Sequence, residues 1–282
     1  MTQIAFLGTG LLGAALAEAA AKRGDVVTAW NRTTEKARAL EAFGVRVAAT
    51  PAEAVRGARR VHLVLKDDAV VEDVVAALRP GLEADAVVVD HTTTQPALTA
   101  DRARRLNAAG VRYLHCPVFI GPSAAREGKG TILVAGPAAL HDAVKDDLAR
   151  MAARIEYVGE RPDLAAVYKL CGNAFIIGIT ALVADVYAVA AGAGVTAADA
   201  LQVVEFFDPA ATIAGRGRKM AAGDHAPSFE LAMARKDVRL MLETAATQPL
   251  ATLPGIAERM DALLERGLGA EDMAVLAVDA LR

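Results

Sequence analysis

Residues 3–24 read QIAFLGTGLLGAALAEAAAKRG, and their pattern predicts the architecture of the first half of the chain. A short apolar run ends at Gly8, and an alanine-rich helical stretch covers residues 11–23. The glycines form the G-x-G-x-x-G pattern, in which Gly10 lets the backbone approach a pyrophosphate and Gly13 lets the helix pack closely on the strand. The helix N-terminus then supplies free N–H groups for phosphates. A tight turn without a ligand is the alternative, but the preceding strand and the following helix favour a dinucleotide site.

Apolar runs alternate with helical stretches through this half of the chain. The predicted strands are 4–8, 26–30, 61–65, 86–90, 131–136 and 154–159, and the first predicted helices are 11–23, 34–43, 69–78 and 97–109. Runs that are apolar at nearly every position are typical of strands buried on both faces of a sheet. The alternation therefore predicts an α/β Rossmann domain with a doubly wound parallel sheet.

The pattern changes after GERPD at residues 159–163. Residues 164–193 are apolar at nearly every helical position and lack proline, which predicts one long buried helix leaving the sheet domain. The remaining sequence shows helix signals only, at 227–246, 253–267 and 270–282. We therefore predict two domains, a Rossmann domain over 1–160 and an all-helical domain over 161–282.

The end of the second predicted strand, WNRTTEK at 30–36, indicates which dinucleotide binds. An NAD site places an acidic residue here to hold the ribose hydroxyls. This chain has Arg32, whose guanidinium suits a 2′-phosphate, with Asn31 and Thr33 as hydrogen-bond partners. Glu35 falls in the first turn of the next helix. A solvated loop arginine is the alternative, and the pattern favours NADP.

Composition excludes several classes of protein. The net charge of −3 argues against nucleic acid and membrane surfaces as partners. The five histidines and two cysteines have no metal-ligand spacing, so we predict no metal site. The chain starts directly with a strand, and its apolar run at 173–184 is interrupted by Asp185, so we expect a cytoplasmic protein without a leader or a membrane span. Ser123 is not in a G-x-S-x-G elbow, which argues against a hydrolase.

Six short motifs in order resemble the β-hydroxyacid dehydrogenase family, which includes 3-hydroxyisobutyrate dehydrogenases and tartronate-semialdehyde reductases. They are the glycine pattern, NRT at 31–33, DHTTTQP at 90–96, CPVFIGPSAAREGKGTILVAG at 116–136, KLCGN at 169–173 and FELAMARKDVRL at 229–240. The resemblance implies reversible hydride transfer between NAD(P) and a small 3-hydroxy acid. It also implies a Rossmann domain followed by a helical domain for substrate binding and for assembly into dimers or tetramers.

The resemblance carries roles over to individual residues. Cofactor contacts are expected from Gly8, Gly10, Leu11, Leu12, Gly13, Asn31, Arg32, Thr33, Leu65, Lys66, Thr93 and Lys236. Substrate contacts are expected from Phe119, Ile120, Gly121 and Ser123, and the catalytic pair is Lys169 and Asn173.

Lys169 and Asn173 are four residues apart on the predicted long helix, so they project from one face. Burial in an apolar helix disfavours the charge of a lysine and brings its pKa toward the range that acid–base catalysis uses. Lys169 would then exchange a proton with the substrate oxygen, and Asn173 would orient it. A snorkelling lysine with an ordinary polar neighbour is the alternative. Cys171 is expected to face the core.

Three positions depart from the family pattern. The usual S-G-G of the substrate loop is Phe119-Ile120-Gly121, the first asparagine of the N-N pair is Gly172, and PDLAAVY at 162–168 is similar to imine reductases. The apolar loop predicts poor activity on the smallest acids, such as glyoxylate, and better activity on larger or uncharged carbonyl compounds. An NADPH-dependent imine reductase and a catalytically silent NADP-binding sensor are the alternatives to the dehydrogenase.

Overall fold

The computed structural model of the chain describes residues 3–281. Two compact units divide between Asn173 and Ala174, inside a single long helix. The sequence prediction divided the chain at the start of this helix. Its first turns, at Leu164 and Ala165, pack against strand residues Leu133 and Ala135 and so belong to the first unit.

The first unit is built around one twisted sheet with helices on its faces. The strands are β1 Gln3–Leu7, β2 Val26–Trp30, β3 Arg46–Val47, β4 Arg60–Leu63, β5 Val87–Asp90, β6 Arg112–His115, β7 Val118–Phe119, β8 Thr131–Ala135 and β9 Arg154–Gly159. Their order in the sheet is β3-β2-β1-β4-β5-β6-β8-β7, and β9 pairs with β8. The helices are α1 Leu11–Lys22, α2 Thr34–Arg38, α3 Pro51–Val55, α4 Asp68–Leu78, α5 Pro96–Ala108, α6 Pro122–Arg126 and α7 Ala138–Leu148.

This topology confirms the Rossmann architecture and corrects one part of the prediction. The strands from β1 to β6 are parallel, but β8 runs antiparallel to both β6 and β7. A parallel crossover needs a dozen or more residues, usually with a full helix, whereas only the short α6 separates β7 from β8. Strands β3, β6 and β7 were not predicted, because two of them are two residues long and β6 includes arginine and histidine.

Burial on both faces of the sheet explains its apolar strands. In β1, Ile4 and Phe6 enter one apolar cluster, while Ala5 and Leu7 enter a second cluster. Successive side chains of a strand point to opposite faces, so a strand covered on both sides is apolar at every position. The sheet is therefore a rigid support for the residues at its carboxyl edge, where β1, β2, β4 and β5 end.

The long helix α8 spans Leu164–Gly192 and continues into the second unit. The other helices there are α9 Ala197–Leu201, α10 Val203–Phe206, α11 Pro209–Ala221, α12 Leu231–Ala245 and α13 Leu253–Glu265. The predicted C-terminal helix at 270–282 contains only a short 3-10 turn at Met273–Ala277. Helices α9 to α11 were not assigned individually from the sequence.

Two buried carboxylates organise the second unit. Asp185 on α8 accepts hydrogen bonds from the backbone N–H groups of residues 251–253 and so caps the start of α13. Burial alone would raise the pKa of Asp185, but these bonds and one from the Thr252 hydroxyl lower it below its usual range. Asp272 likewise accepts bonds from Ser228, Phe229 and Ala274. A charged residue inside the apolar helix α8 thus has a structural function.

The prediction of a buried α8 is wrong for most of its length. Large apolar side chains stand exposed along the helix, with Phe175 56% and Ile177 68% exposed. The helix is also long and apolar enough to cross a membrane by length and composition alone, which the interrupted run at 173–184 did not suggest. Hydropathy shows that a surface favours apolar contact but does not identify what covers it.

Candidate active site and cofactor cleft

The turn between β1 and α1 needs glycine for two different reasons. Gly8 has a φ of +99°, and a Cβ there would lie 2.2 Å from the carbonyl oxygen of Val64. A Cβ on Gly13 would lie 2.0 Å from the carbonyl oxygen of Gly8, so this glycine allows α1 to pack directly on the strand. A Cβ on Gly10 would meet no protein atom within 4 Å. The space above Gly10 is therefore open for a ligand to approach the backbone.

The start of α1 is suited to bind an anion. Gly10 is the N-cap residue and offers no side-chain cap, and the first turn of this 12-residue helix contains no acidic residue. The N–H groups of the first turn carry the positive end of the helix dipole. Leu11, Leu12 and Gly13 form this first turn, with the Leu11 side chain exposed. A pyrophosphate at this position would satisfy N–H groups that have no partner within the helix.

A cleft of about 610 Å³ lies along this edge of the sheet. Seven of the expected cofactor residues line it: Gly8, Gly10, Asn31, Arg32, Thr33, Leu65 and Lys66. Trp30 and Pro51 supply apolar surface, and Lys36 and Asp73 supply charged groups. None of these four residues was predicted from the sequence to line the cleft. Lys36 follows Arg32 by four residues in the first turn of α2, a spacing that was available as a signal.

The residues at the end of β2 divide into structural and ligand-facing side chains. Asn31 accepts a hydrogen bond from the Thr9 N–H at 3.0 Å and donates one to the Thr33 carbonyl at 2.9 Å. It therefore joins the glycine-rich turn to the β2 loop. Arg32 is exposed in the cleft and forms no ion pair within residues 3–281. Its guanidinium is available for a bound anion.

Thr93 occupies a loop that a buried polar network holds in place. Thr93 itself is exposed, whereas Thr92 and Thr94 are buried. The Asp90 carboxylate accepts the Thr92 N–H at 2.9 Å, and the Thr92 hydroxyl accepts the Leu65 N–H at 3.1 Å. The loop is therefore fixed on both sides of Thr93, and it is tied to the cleft through Leu65.

Three buried histidines lie beneath this loop. His91 Nδ1 is 2.7 Å from the Cys116 carbonyl, which can only accept, so this nitrogen carries the proton. His91 Nε2 then accepts from His62 Nδ1 at 3.0 Å, and His115 Nε2 donates to the Thr92 carbonyl at 2.9 Å. Burial lowers the pKa of all three histidines below the usual value of 6.5. They are neutral structural groups at neutral pH.

Lys169 and Asn173 come together as the helical spacing requires. Lys169 Nζ donates to Asn173 Oδ1 at 2.8 Å and lies 4.2 Å from the ring centroid of Phe119. Burial lowers the pKa of the Lys169 ammonium below its usual value. Within residues 3–281, no carboxylate forms an ion pair with Lys169. The result is a half-buried amine held by a neutral amide, an arrangement suited to proton exchange.

The remaining predicted site residues have different surroundings. Ile120 is partly buried against the sheet core, Gly121 is exposed, and the exposed Ser123 hydroxyl contacts Glu127 at 3.5 Å. Lys66 pairs with Asp67 at 3.6 Å, on the rim of the cleft.

Two residues on helices complete this set. Lys236 lies on α12 in the second unit and pairs with Asp237 at 2.8 Å. Cys171 is exposed, so the expectation that it faces the core is wrong. It lies between the half-buried Lys169 and Asn173 in sequence but points to the opposite side of α8. Among residues 3–281, no group of three or more His, Cys, Asp or Glu is arranged to hold a metal ion.

Comparison with known proteins identifies the family. Residues 3–159, more than half of the chain, match the family described as the NAD binding domain of 6-phosphogluconate dehydrogenase. The chain belongs to this family. It is an NAD(P)-dependent oxidoreductase, and the resemblance to β-hydroxyacid dehydrogenases is confirmed.

Individual relatives extend the match beyond the NAD-binding domain. The chain is 27% identical over 255 residues to 3-sulfolactaldehyde reductase from Escherichia coli (strain K12), which covers 87% of this chain and 84% of that protein. It has the fold of an imine reductase from Pseudomonas sp., with a TM-score of 0.89 and 22% identity over 100% of this chain and 99% of that one. A reductive aminase from Aspergillus terreus, solved with NADPH4, cyclohexanone and allyl amine, has a TM-score of 0.87 and 23% identity over 100% of both chains. The fold of the whole chain is therefore shared with these two solved enzymes.

Proposed function

We propose that the protein is an NADP-dependent dehydrogenase or reductase that interconverts a small 3-hydroxy acid and its semialdehyde, or a related alcohol and carbonyl compound. The pair of Lys169 and Asn173 carries this proposal, because it places a half-buried amine of lowered pKa on a neutral amide. The aldehyde named in the relative from Escherichia coli supports a carbonyl substrate.

The residues present fit a dinucleotide. The open space at Gly10, the uncapped start of α1 and the unpaired Arg32 line one continuous edge of the sheet. When bound, the nicotinamide supplies or accepts the hydride. We propose that Thr93, exposed on the loop after β5, lies at the nicotinamide end of the site.

Lys169 handles the proton that accompanies the hydride. In reduction, its ammonium donates a proton to the carbonyl oxygen of the substrate and becomes neutral. In oxidation, the neutral amine takes the proton of the substrate hydroxyl. Asn173 accepts a hydrogen bond from Nζ in both states and so directs the remaining N–H bonds and the lone pair. The lowered pKa makes the neutral amine easier to reach than in a solvated lysine.

We expect NADPH to bind at least tenfold more tightly than NADH, a difference of about 1.4 kcal/mol. The guanidinium of Arg32 forms no ion pair among residues 3–281 and suits a 2′-phosphate, and Lys36 adds a second positive charge to a cleft that also contains Asp73. Arg32→Asp should reverse the preference, because a carboxylate accepts the ribose hydroxyls and repels the phosphate. Trp30, the single tryptophan, lines the cleft, so quenching of its fluorescence reports both titrations.

Arg38→Asp is the matched control, since Arg38 is an exposed arginine on α2, the helix that follows Arg32, and does not line the cleft. It makes the same change of charge without touching the site and should leave the preference unchanged. Equal affinity of the parent for NADPH and NADH would contradict the choice of cofactor.

The substrate loop narrows the class of substrate. Phe119 has no hydroxyl to hold a carboxylate, and Pro122 removes one N–H donor from the loop. We propose a substrate larger or less polar than glyoxylate, since added apolar surface contributes about 25 cal/mol per Å² buried. Rates with NADPH and glyoxylate, C4–C6 semialdehyde acids and uncharged aldehydes test this. A preference for glyoxylate would show that the loop binds carboxylates by another route.

Reduction of imines is the second candidate, favoured by PDLAAVY at 162–168 and by the fold shared with an imine reductase and a reductive aminase. A cyclic imine assayed beside the semialdehydes separates the two activities. Higher kcat/KM for the imine would make imine reduction the main activity. NADPH binding without turnover of any substrate would favour a cofactor-binding sensor.

We propose assembly through the helical unit into a homodimer or homotetramer. The exposed apolar side chains of α8, such as Phe175 and Ile177, favour burial against a second copy. Sedimentation equilibrium gives the assembled mass directly, and a monomer at micromolar concentration would contradict this proposal.

A further inference from the structure

The ring of Phe119 forms one wall around the Lys169 amine. Phe119 is the last residue of β7, and its ring centroid lies 4.2 Å from Lys169 Nζ. The ring is partly buried against Leu133, Ala135 and Ala165, so strands and helix hold it in place. The lysine thus has an aromatic face on one side and the Asn173 amide oxygen, 2.8 Å from Nζ, on another.

Gly172 is the position on α8 that makes room for this ring. A Cβ at Gly172 would lie 2.2 Å from Cζ and 2.6 Å from Cε1 of Phe119, well inside van der Waals contact. Glycine is unfavourable inside a helix, so a glycine in the third turn of α8 needs a reason from packing. The Phe119 ring is that reason, because any larger residue at position 172 would push the ring away from its position over Lys169.

We propose that Phe119 and Gly172 are a matched pair in which the missing side chain at 172 admits the ring that holds Lys169 Nζ beside Asn173. Phe119 is a positioning residue in this arrangement, since it acts on the substrate chemistry through Lys169. The inference rests on the proposed proton transfer by Lys169 and adds the device that positions the amine and limits its contact with water.

The ring has two opposing effects on the proton of Lys169. It excludes water from one side of the amine, which favours the neutral form, and its π face attracts the charged form. Burial lowers the pKa of Lys169, and we expect exclusion of water to be the larger of the two effects of the ring. Removing the ring should therefore raise this pKa.

Charged neighbours do not account for this shift. Up to Asn173, Lys169 is the only charged residue of α8, with Tyr168 and Cys171 as titratable neighbours, and β7 and β8 contain no charged residue. On β9, Arg154 and Glu156 pair with each other, and the Tyr157 hydroxyl donates to the Gly136 carbonyl at 2.9 Å. Arg161 and Asp163, ahead of α8, also pair with each other. Burial, to which the Phe119 ring contributes, therefore accounts for the lowered pKa of Lys169.

The first test measures the pKa of Lys169 without any substrate. The rate of acetylation by acetic anhydride is followed against pH, and the peptide that contains Lys169 is quantified by mass spectrometry. The pKa of Lys169 should rise in Phe119→Ala and in Gly172→Ala. The rise should be smaller in Phe119→Leu, because leucine keeps apolar bulk at this position. An unchanged pKa in both Phe119→Ala and Gly172→Ala would overturn the proposal.

The second test measures the fit between the two residues as a double-mutant cycle of thermal unfolding. Gly172→Ala should lower the Tm of the parent, because the new Cβ meets the ring. The same change should raise the Tm in the Phe119→Ala background, where the space is free and alanine is the better helix former. Gly178→Ala is the control on the same helix, since a Cβ there meets no atom within 4 Å. A rise in Tm for Gly172→Ala in the parent would overturn the proposal.

Failure of this inference and failure of the proposed function give different results. Both tests report on packing and on proton affinity, and neither needs turnover. If the pKa and Tm respond as expected while Lys169→Met keeps full turnover, the matched pair stands and the proton-transfer role of Lys169 fails. Should Phe119→Ala prove unfolded by circular dichroism, Phe119→Leu serves as the second background in both tests.

Discussion

Replacing Lys169 with methionine is expected to lower kcat by about 10²- to 10⁴-fold, the usual contribution of a positioned proton donor. Methionine keeps the length and apolar character of the side chain but has no proton to exchange. NADPH affinity should stay unchanged, because the cofactor cleft at the carboxyl edge of the sheet does not include Lys169. Steady-state kinetics on the best substrate, together with a Trp30 fluorescence titration of NADPH, separate the two effects.

Asn173→Ala should lower kcat less than Lys169→Met does, since the amide orients the amine and transfers no proton. Lys145→Met is the matched control, because Lys145 is exposed on α7, pairs with Asp142 at 3.0 Å and does not line the cleft. Parent-like activity of Lys169→Met would remove Lys169 from the reaction and leave the lysine a structural role.

Acidification from pH 7.5 to 5.5 should lower the free energy of unfolding of the first unit by as much as about 4 kcal/mol, or about 1.4 kcal/mol for each of three histidines. His62, His91 and His115 are buried, and burial lowers their pKa values in the folded state. The unfolded chain binds protons on these histidines as the pH falls below 6.5, while the lowered pKa values delay their protonation to lower pH in the folded chain. Stability is therefore complete above this pH and decreases as the pH falls toward the folded-state pKa values.

Urea unfolding followed by Trp30 fluorescence at several pH values measures this loss, since Trp30 lies in the same unit as the histidines. Carboxylates of lowered pKa, such as Asp272, lose their contribution only at pH values near and below 4, outside this window. His62→Gln should remove part of the pH dependence, because one buried histidine fewer becomes protonated on unfolding. A flat free energy between pH 7.5 and 5.5 would contradict the buried neutral histidines.

The parts of the fold that depend on neighbouring residues were predictable from the sequence. The apolar strand before Gly8, the glycine spacing and the helix after it all act within a few residues, and the structure has each of them. Strands β1, β2, β4 and β5 also followed, because burial on both faces requires apolar side chains at every position. The antiparallel β8 did not follow, because strand direction depends on the path of the chain between strands and not on side-chain pattern.

The long helix shows the same division. Its extent was nearly correct, since helical periodicity and the absence of proline are local properties. Its burial was wrong, because hydropathy is a property of α8 itself, while exposure depends on what packs against it. The structural role of Asp185 could not be predicted from the sequence either, because Asp185 caps α13, which is remote from it in sequence.

At the candidate site, the sequence placed Lys169 beside Asn173, because four residues make about one turn of a helix and bring two side chains onto one face. It also placed Arg32 at the end of β2, since the strand before it and the helix after it are local patterns. The contact between Phe119 and Gly172 could not be predicted from the sequence. These residues lie on a strand and a helix that only the packing of α8 on the sheet brings together, and distance along the chain contains no information about that approach. Only the tertiary structure shows that Phe119 and Gly172, two of the departures from the family pattern, fit each other.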